Sequence, residues 1–180
     1  MSEKEEILNF WFKKCNPEQW FRKDPAFDKK IRELFYVYVE EALIGKLENW
    51  SDSENGCLAL ILILDQFTRN IFRGSSRAFS GDKKALKLSF KCFKNDYLNY
   101  ENKENCRFML LPMMHSEDIY VQDFSLPLFK NLNDQSTYEY AIRHRDIVKQ
   151  FGRFPHRNLI LGRKSTEEEI EFLKHPGSSF

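Results

Sequence analysis

The residues best suited to chemistry lie in FGRFPHRN, residues 151–158, where Arg153, His156, Arg157 and Asn158 stand among two phenylalanines, a glycine and a proline. A guanidinium offers a planar fork of donors that matches a carboxylate or phosphate. An imidazole exchanges its proton near neutral pH. Together these types suit recognition of a small anion, with His156 a candidate general acid or base. His144 and Arg145 lie just upstream in HRDIVKQ. A second set lies in LDQFTRNIFRG (64–74), where Asp65, Arg69 and Arg73 recur at four-residue spacing along one helix edge, with Gln66 and Asn70 on the next. Such a set either ties a helix end to its neighbours through ion pairs or forms one wall of an anion pocket. A third set, MMHSEDIYVQD (113–123), holds His115, Ser116, Glu117, Asp118 and Gln122.

His115 is a further acid–base candidate, with Glu117 or Asp65 to orient it. Ser116 is adjacent to His115, so the two side chains diverge on a helix, and no GxSxG elbow is present. Ser116 before two acids reads instead as a helix cap. The expected ligand-binding set is therefore Asp65, Arg69, Arg73, His144, Arg153, Arg157 and Asn158. The catalytic candidates are His115, Glu117 and His156. No HExxH and no histidine pair four apart occurs, so no metal is expected, and no cofactor is expected.

Bulk properties narrow the classes further. The 180 residues carry 28 basic and 27 acidic side chains, a formal net charge of +1. That balance argues against nucleic acid or an anionic membrane as partner. The start, MSEKEEILNF, lacks the basic-then-apolar order of a signal peptide, and CLALILILD is far too short to span a bilayer. Cys15, Cys57, Cys92 and Cys106 form no CxxC pair. Cytoplasmic residence with reduced thiols is the expectation. The length suits one domain over residues 1–180, and a chain of this size buries roughly 70% of its unfolded surface.

The elements that position these residues read as helices. Ile7, Leu8, Trp11 and Phe12 form a helical stripe, and NPEQWF (16–21) breaks it. Phe27, Ile31, Leu34, Phe35, Tyr38, Val39, Ala42 and Leu43 mark an amphipathic helix of about five turns, with Gly45 at its end. The apolar run 58–64 continues through Phe67, Ile71 and Phe72 without a turn signal, so length makes it a central helix rather than a strand. Asp82 is placed to cap the next helix. Pro112 predicts a kinked helix or two helices meeting, and Pro127 a short turn. STYEYAIRHRDIVKQFG predicts a helix with Ser136 or Thr137 near its start and Gly152 past its end. STEEEIEFLKH offers a capping box, Ser165 with Glu168 or Thr166 with Glu169. The reading is all-α, about seven to nine helices.

The order of motifs carries a resemblance. NFWF, FD..I...F, LALILILDQFTRNIFRG, RAFSGD, LLPMMHSEDIYVQ, FGRFPHRN, LGR.ST.EE..FL and the terminal GSSF follow the pattern of the DUF924 family, from Asn9 to Phe180. The chain resembles these bacterial-type proteins of unknown function, departing from the family form LDQFPRN in having Thr68 for the proline. The resemblance implies antiparallel helix hairpins in a TPR-like α-α superhelix. It implies no reaction. The family's recurrent polar positions correspond here to Asp65, Gln66, Arg69, Asn70, Arg73, His115, Glu117, Gln122, His144, Arg153, His156, Arg157, Asn158 and Arg163. Three readings stand open. One is a pocket for a small anionic molecule clamped by Arg69, Arg73, Arg153 and Arg157. Another is an interaction module whose groove, lined by Trp11, Trp20 and Trp50, takes a peptide or helix. In the last, the polar motifs only lock helix ends together.

Overall fold

The computed structural model describes residues 2–179. The last position of the terminal GSSF motif, Phe180, lies outside them. The described residues form helices and turns, with no strand among them. In chain order the elements are α1 (Glu3–Asn9), α2 (Pro17–Phe21), α3 (Pro25–Leu43), α4 (Glu54–Ile61), α5 (Thr68–Ile71), α6 (Asp82–Lys94), α7 (Lys103–Met114), α8 (Ile119–Lys130), α9 (Gln135–Phe151) and α10 (Glu167–Phe172). Helix α1 passes into a π-helical turn, Phe10–Lys14, and α4 passes through another, Leu62–Phe67, into α5. No helix of the described residues is long and apolar enough to cross a membrane. The chain divides into two compact units: one holds the residues up to Arg73 together with Arg77–Pro112, the other Gly74–Ser76 and the chain from Met113 onward.

The first unit is organised by aromatic packing. Asp24 starts α3 by accepting hydrogen bonds from the Ala26 and Phe27 amides, with Pro25 at the first helical position. The helix then buries Phe27, Ile31, Phe35, Val39 and Ala42, one face at three- and four-residue spacing. That face packs against the 62–67 turn and α5. Every residue from Gly56 to Thr68 is buried, as an apolar-all-round helix requires. The Phe35 and Phe67 rings stack with centroids 5.0 Å apart. Trp11 lies against Trp20 at 6.1 Å and meets Phe108 of α7 edge-on at 5.6 Å. Trp20 donates its indole N–H to the Trp11 carbonyl at 3.1 Å. Trp11, Trp20 and Trp50 are all buried. They line no groove, because each ring fills the interior, where burial of its large apolar surface is worth most.

Several local expectations need correction. Residues 17–21 form the short helix α2 rather than a break, opened by a capping box between Asn16 and Gln19. Pro127 lies inside α8 rather than at a turn. Like Pro112 inside α7, it forfeits one backbone bond, and each helix ends within three residues of its proline. Asp118, not Ser116, caps α8, and Asp134 caps α9. Asp82 is the first residue of α6 and Gly81 holds the cap position.

In the second unit α8 packs along α9. Helix α9 ends at Gly152, whose φ of 69° lies in the left-handed region and whose N–H bonds the Val148 carbonyl at 2.8 Å. Only glycine reaches that geometry without a Cβ penalty. The turn sends Phe154 back into the core, fully buried against Ile147 and Val148, with Ile119, Phe151 and Phe172 around them. Phe154 is extended (φ −91°, ψ 106°), as the following proline demands. Pro155 opens a 3-10 turn, Pro155–Arg157.

Candidate functional site

The turn after α9 is held in place by two carboxylates. Glu117, just before α8, accepts the Phe154 amide at 2.8 Å and both terminal nitrogens of Arg163 at 2.6 and 2.9 Å. Arg163 also donates to the Phe154 carbonyl and to Asn158 Oδ1. Desolvation opposes the Glu117 charge, but the Arg163 hydrogen bonds and the Phe154 amide outweigh it and hold the carboxyl below its ordinary range. Glu169, third residue of α10, accepts Arg153 Nε at 2.6 Å and Nη2 at 2.8 Å, Asn158 Nδ2 at 3.2 Å and the Thr166 amide at 2.8 Å. Its capping box is therefore Thr166 with Glu169. Chiefly because of Arg153, its pKa falls from 4.5 to about 2. Arg153, Asn158 and Arg163 thus fix the frame of the turn.

Inside that frame stand the rings. The Arg157 guanidinium lies over the Phe154 ring, 4.5 Å from its centroid, and the side chain is buried. The His144 and His156 rings flank Phe154 at 5.5 and 5.7 Å. His115, where α7 gives way to the 115–118 segment, lies 6.2 Å from His144. His144 is buried, whereas His115 and His156 are half-buried. His144 Nδ1 faces the Tyr140 carbonyl at 2.7 Å. A carbonyl only accepts, so Nδ1 carries the proton. Desolvation, reinforced by His115, drops the His144 pKa to about 3. Desolvation and then Arg157 drop His156 to about 4. Both imidazoles are neutral at pH 7, weak bases rather than groups poised to shuttle protons there.

The first unit contains the other predicted set. Asp65 is wholly buried; it accepts Gln66 Nε2 at 2.6 Å and pairs with Arg69 at 3.2 Å. Arg69 also pairs with Asp82 at 3.0 Å. Arg73 grips Asp28 with two bonds, of 2.6 and 2.8 Å, and Asn70 donates to the same carboxylate at 2.8 Å. Thr68 donates its hydroxyl to the Leu64 carbonyl at 2.9 Å. The spacing isolates Arg69 and Arg73 but not Asp28 and Asp82 as their partners, nor Glu169 as the partner of Arg153. Among the described residues no group of three or more His, Cys, Asp or Glu side chains is placed to hold a metal ion.

Comparison with known proteins agrees with this architecture. A protein of unknown function from Agrobacterium tumefaciens has a solved structure that matches with a TM-score of 0.90 and 37% sequence identity, over 95% of this chain and 96% of that one. Among curated proteins there is no match to the chain. The family model for DUF924, bacterial protein of unknown function, matches residues 7–177. With that span, the chain belongs to the DUF924 family.

Proposed function

We propose that the second unit binds a small anionic molecule at the face built by Arg157, His144, His156 and His115. The observation that carries this reading is the seating of a buried guanidinium on the Phe154 ring, which His144 and His156 flank, with His115 against His144. A low-dielectric setting strengthens the attraction of a guanidinium for an anion. Stacking on an aromatic face keeps its donor fork in one plane. His144 and His156, neutral at pH 7, add hydrogen-bonding groups without adding charge. Arg153 and Asn158 position the turn rather than touch the ligand. The proposal leaves Asp65, Arg69 and Arg73 as the ion-paired lock of the first unit.

The test is a thermal-shift series at low salt with inorganic phosphate and small carboxylates. A ligand at a hundred times its Kd adds about 2.7 kcal/mol, a rise of roughly 5–10 °C for a chain of this length. Arg157→Ala is expected to abolish the rise, and Arg157→Lys, which keeps the charge but not the fork, to weaken it. A flat response of the wild-type protein to every probe overturns the reading.

A further inference from the structure

We infer that the outer face of α3 is a self-association surface, on which a second copy of this chain lays its own α3 antiparallel, about a two-fold axis between Leu34 and Val37. The inference is independent of the anion site, which belongs to the second unit. Its basis is an apolar row that the first unit leaves uncovered. The inward face of α3 is occupied by Phe27, Ile31, Phe35, Val39 and Ala42. On the outer side Leu34, Val37 and Ile44 are 48%, 64% and 68% exposed. Single apolar side chains on a surface are ordinary, whereas several grouped on one helix face mark a contact site. Lys30, Leu34, Val37, Glu41 and Ile44 follow one another in steps of four and three residues. That is the seam by which two helices pair knobs into holes. Helix α3 is 19 residues long, about 28 Å, enough to carry such a seam.

The charges on the seam name the occupant. In an antiparallel pair the two kinds of seam position face each other. With the axis between Leu34 and Val37, Leu34 meets the partner's Val37, and Val37 meets the partner's Leu34. One layer out, Lys30 meets the partner's Glu41, and Glu41 meets the partner's Lys30. A two-fold contact must be complementary to itself, and the antiparallel sense satisfies this. A parallel pair would set Lys30 against the partner's Lys30 and Glu41 against the partner's Glu41.

The present contacts of both charges are weak. The Lys30 ammonium lies over the Phe10 ring, 5.6 Å from its centroid, and Glu41 faces Lys46 at 3.8 Å on the surface. Exposed contacts of this kind contribute little, so both groups can turn to a partner. Glu33 and Glu40, which flank the seam, are offset within their own chain, Glu33 by Lys29 at 3.8 Å and Glu40 by Arg77 at 2.6 Å. A single helix crossing falls below about 1,200 Å², the range of weak and transient interfaces. The dimer is therefore expected to be reversible, with Kd on the order of 10–100 μM.

The experiment is sedimentation equilibrium of the full chain at low salt, over a concentration series that brackets that Kd. The wild-type protein is expected to pass from monomer to dimer. Lys30→Glu sets like charges against each other in both outer layers, and so does Glu41→Lys. Each alone is expected to weaken the dimer about tenfold. Mixed one to one, the two variants place opposite charges in both layers, and the mixture is expected to regain wild-type association. Val37→Lys puts a charge at the centre of the seam while gaining a helical partner in Glu33, and it is expected to abolish the dimer with the fold kept, as circular dichroism checks. A wild-type chain that stays monomeric throughout overturns the inference, as does a dimer that survives Val37→Lys. Failure of the mixture to regain association overturns the antiparallel pairing on which the inference rests.

Discussion

Replacing Glu169 with glutamine tests the frame around the turn directly. The carboxylate accepts four hydrogen bonds, from Arg153 Nε and Nη2, Asn158 and the Thr166 amide. A glutamine seated with its oxygen toward Arg153 Nη2, Asn158 and Thr166 turns its NH2 onto Arg153 Nε, donor against donor. The depression of the Glu169 pKa from 4.5 to about 2 corresponds to about 3 kcal/mol. The Arg153 side chain is 28% exposed, so solvent screens part of this, and ~2 kcal/mol is the expected cost. That agrees with the loss of one hydrogen bond to a charged group. For a chain of this length it lowers Tm by roughly 4–8 °C at pH 7. The pH dependence supplies a second, sharper readout. A carboxylate with a depressed folded pKa contributes stability that is present above 4.5 and is lost as pH falls toward about 2. At pH 4 the gap between wild type and Glu169→Gln should narrow by about 0.8 kcal/mol. Circular dichroism melts and urea titrations at pH 7 and pH 4 measure both. A Tm change under about 1 °C at pH 7, or a gap equal at the two pH values, refutes the argument.

Other consequences follow from the same geometry. His144, neutral when folded with a pKa of about 3 against 6.5 unperturbed, leaves the unfolded chain to take up more protons as pH falls. Stability should therefore drop below pH 6.5, by about 2 kcal/mol from this residue at pH 5, and His144→Phe should flatten that slope in urea titrations; an unchanged slope would count against the buried neutral ring. Gly81→Ala would set a methyl 2.1 Å from the Leu64 carbonyl oxygen, a backbone atom. Forcing that approach apart should cost about 1–3 kcal/mol, read as a lower urea midpoint, whereas an unaffected midpoint would show that α6 shifts freely.

Reading the sequence alone settled what depends on neighbours three or four residues apart. The stripe of α3, the central placement of the 56–68 stretch and the helix stop at Gly152 all follow from rules acting within one or two turns. So does the extended Phe154 before Pro155. Where local rules faltered, the cause is also local. PEQWF is too short for a period to show, although Asn16, Pro17 and Gln19 already spelled a helix start. In 62–67 every side chain is buried, so the extra residue of a π turn leaves no mark on an apolar pattern. The proline rule misplaced a turn at Pro127 because a helix about to end bears one missing bond near its last turn.

The tertiary structure alone decided which charges meet. Arg163 and Glu117 lie 46 residues apart, Arg73 and Asp28 45, and Arg153 and Glu169 16. Ion pairing depends on distance through space, and no periodicity encodes it. The tryptophans make the same point: their spacing allowed either a groove or a core, and only the packing of Trp11 against Trp20 and Phe108 put them inside. The protonation state of His144 was equally out of reach of the sequence, since it is set by burial and by the carbonyl one turn before it. Residue types announced a basic turn. The fold determined that Arg153 and Arg163 brace it, and that Arg157 lies on Phe154 among imidazoles.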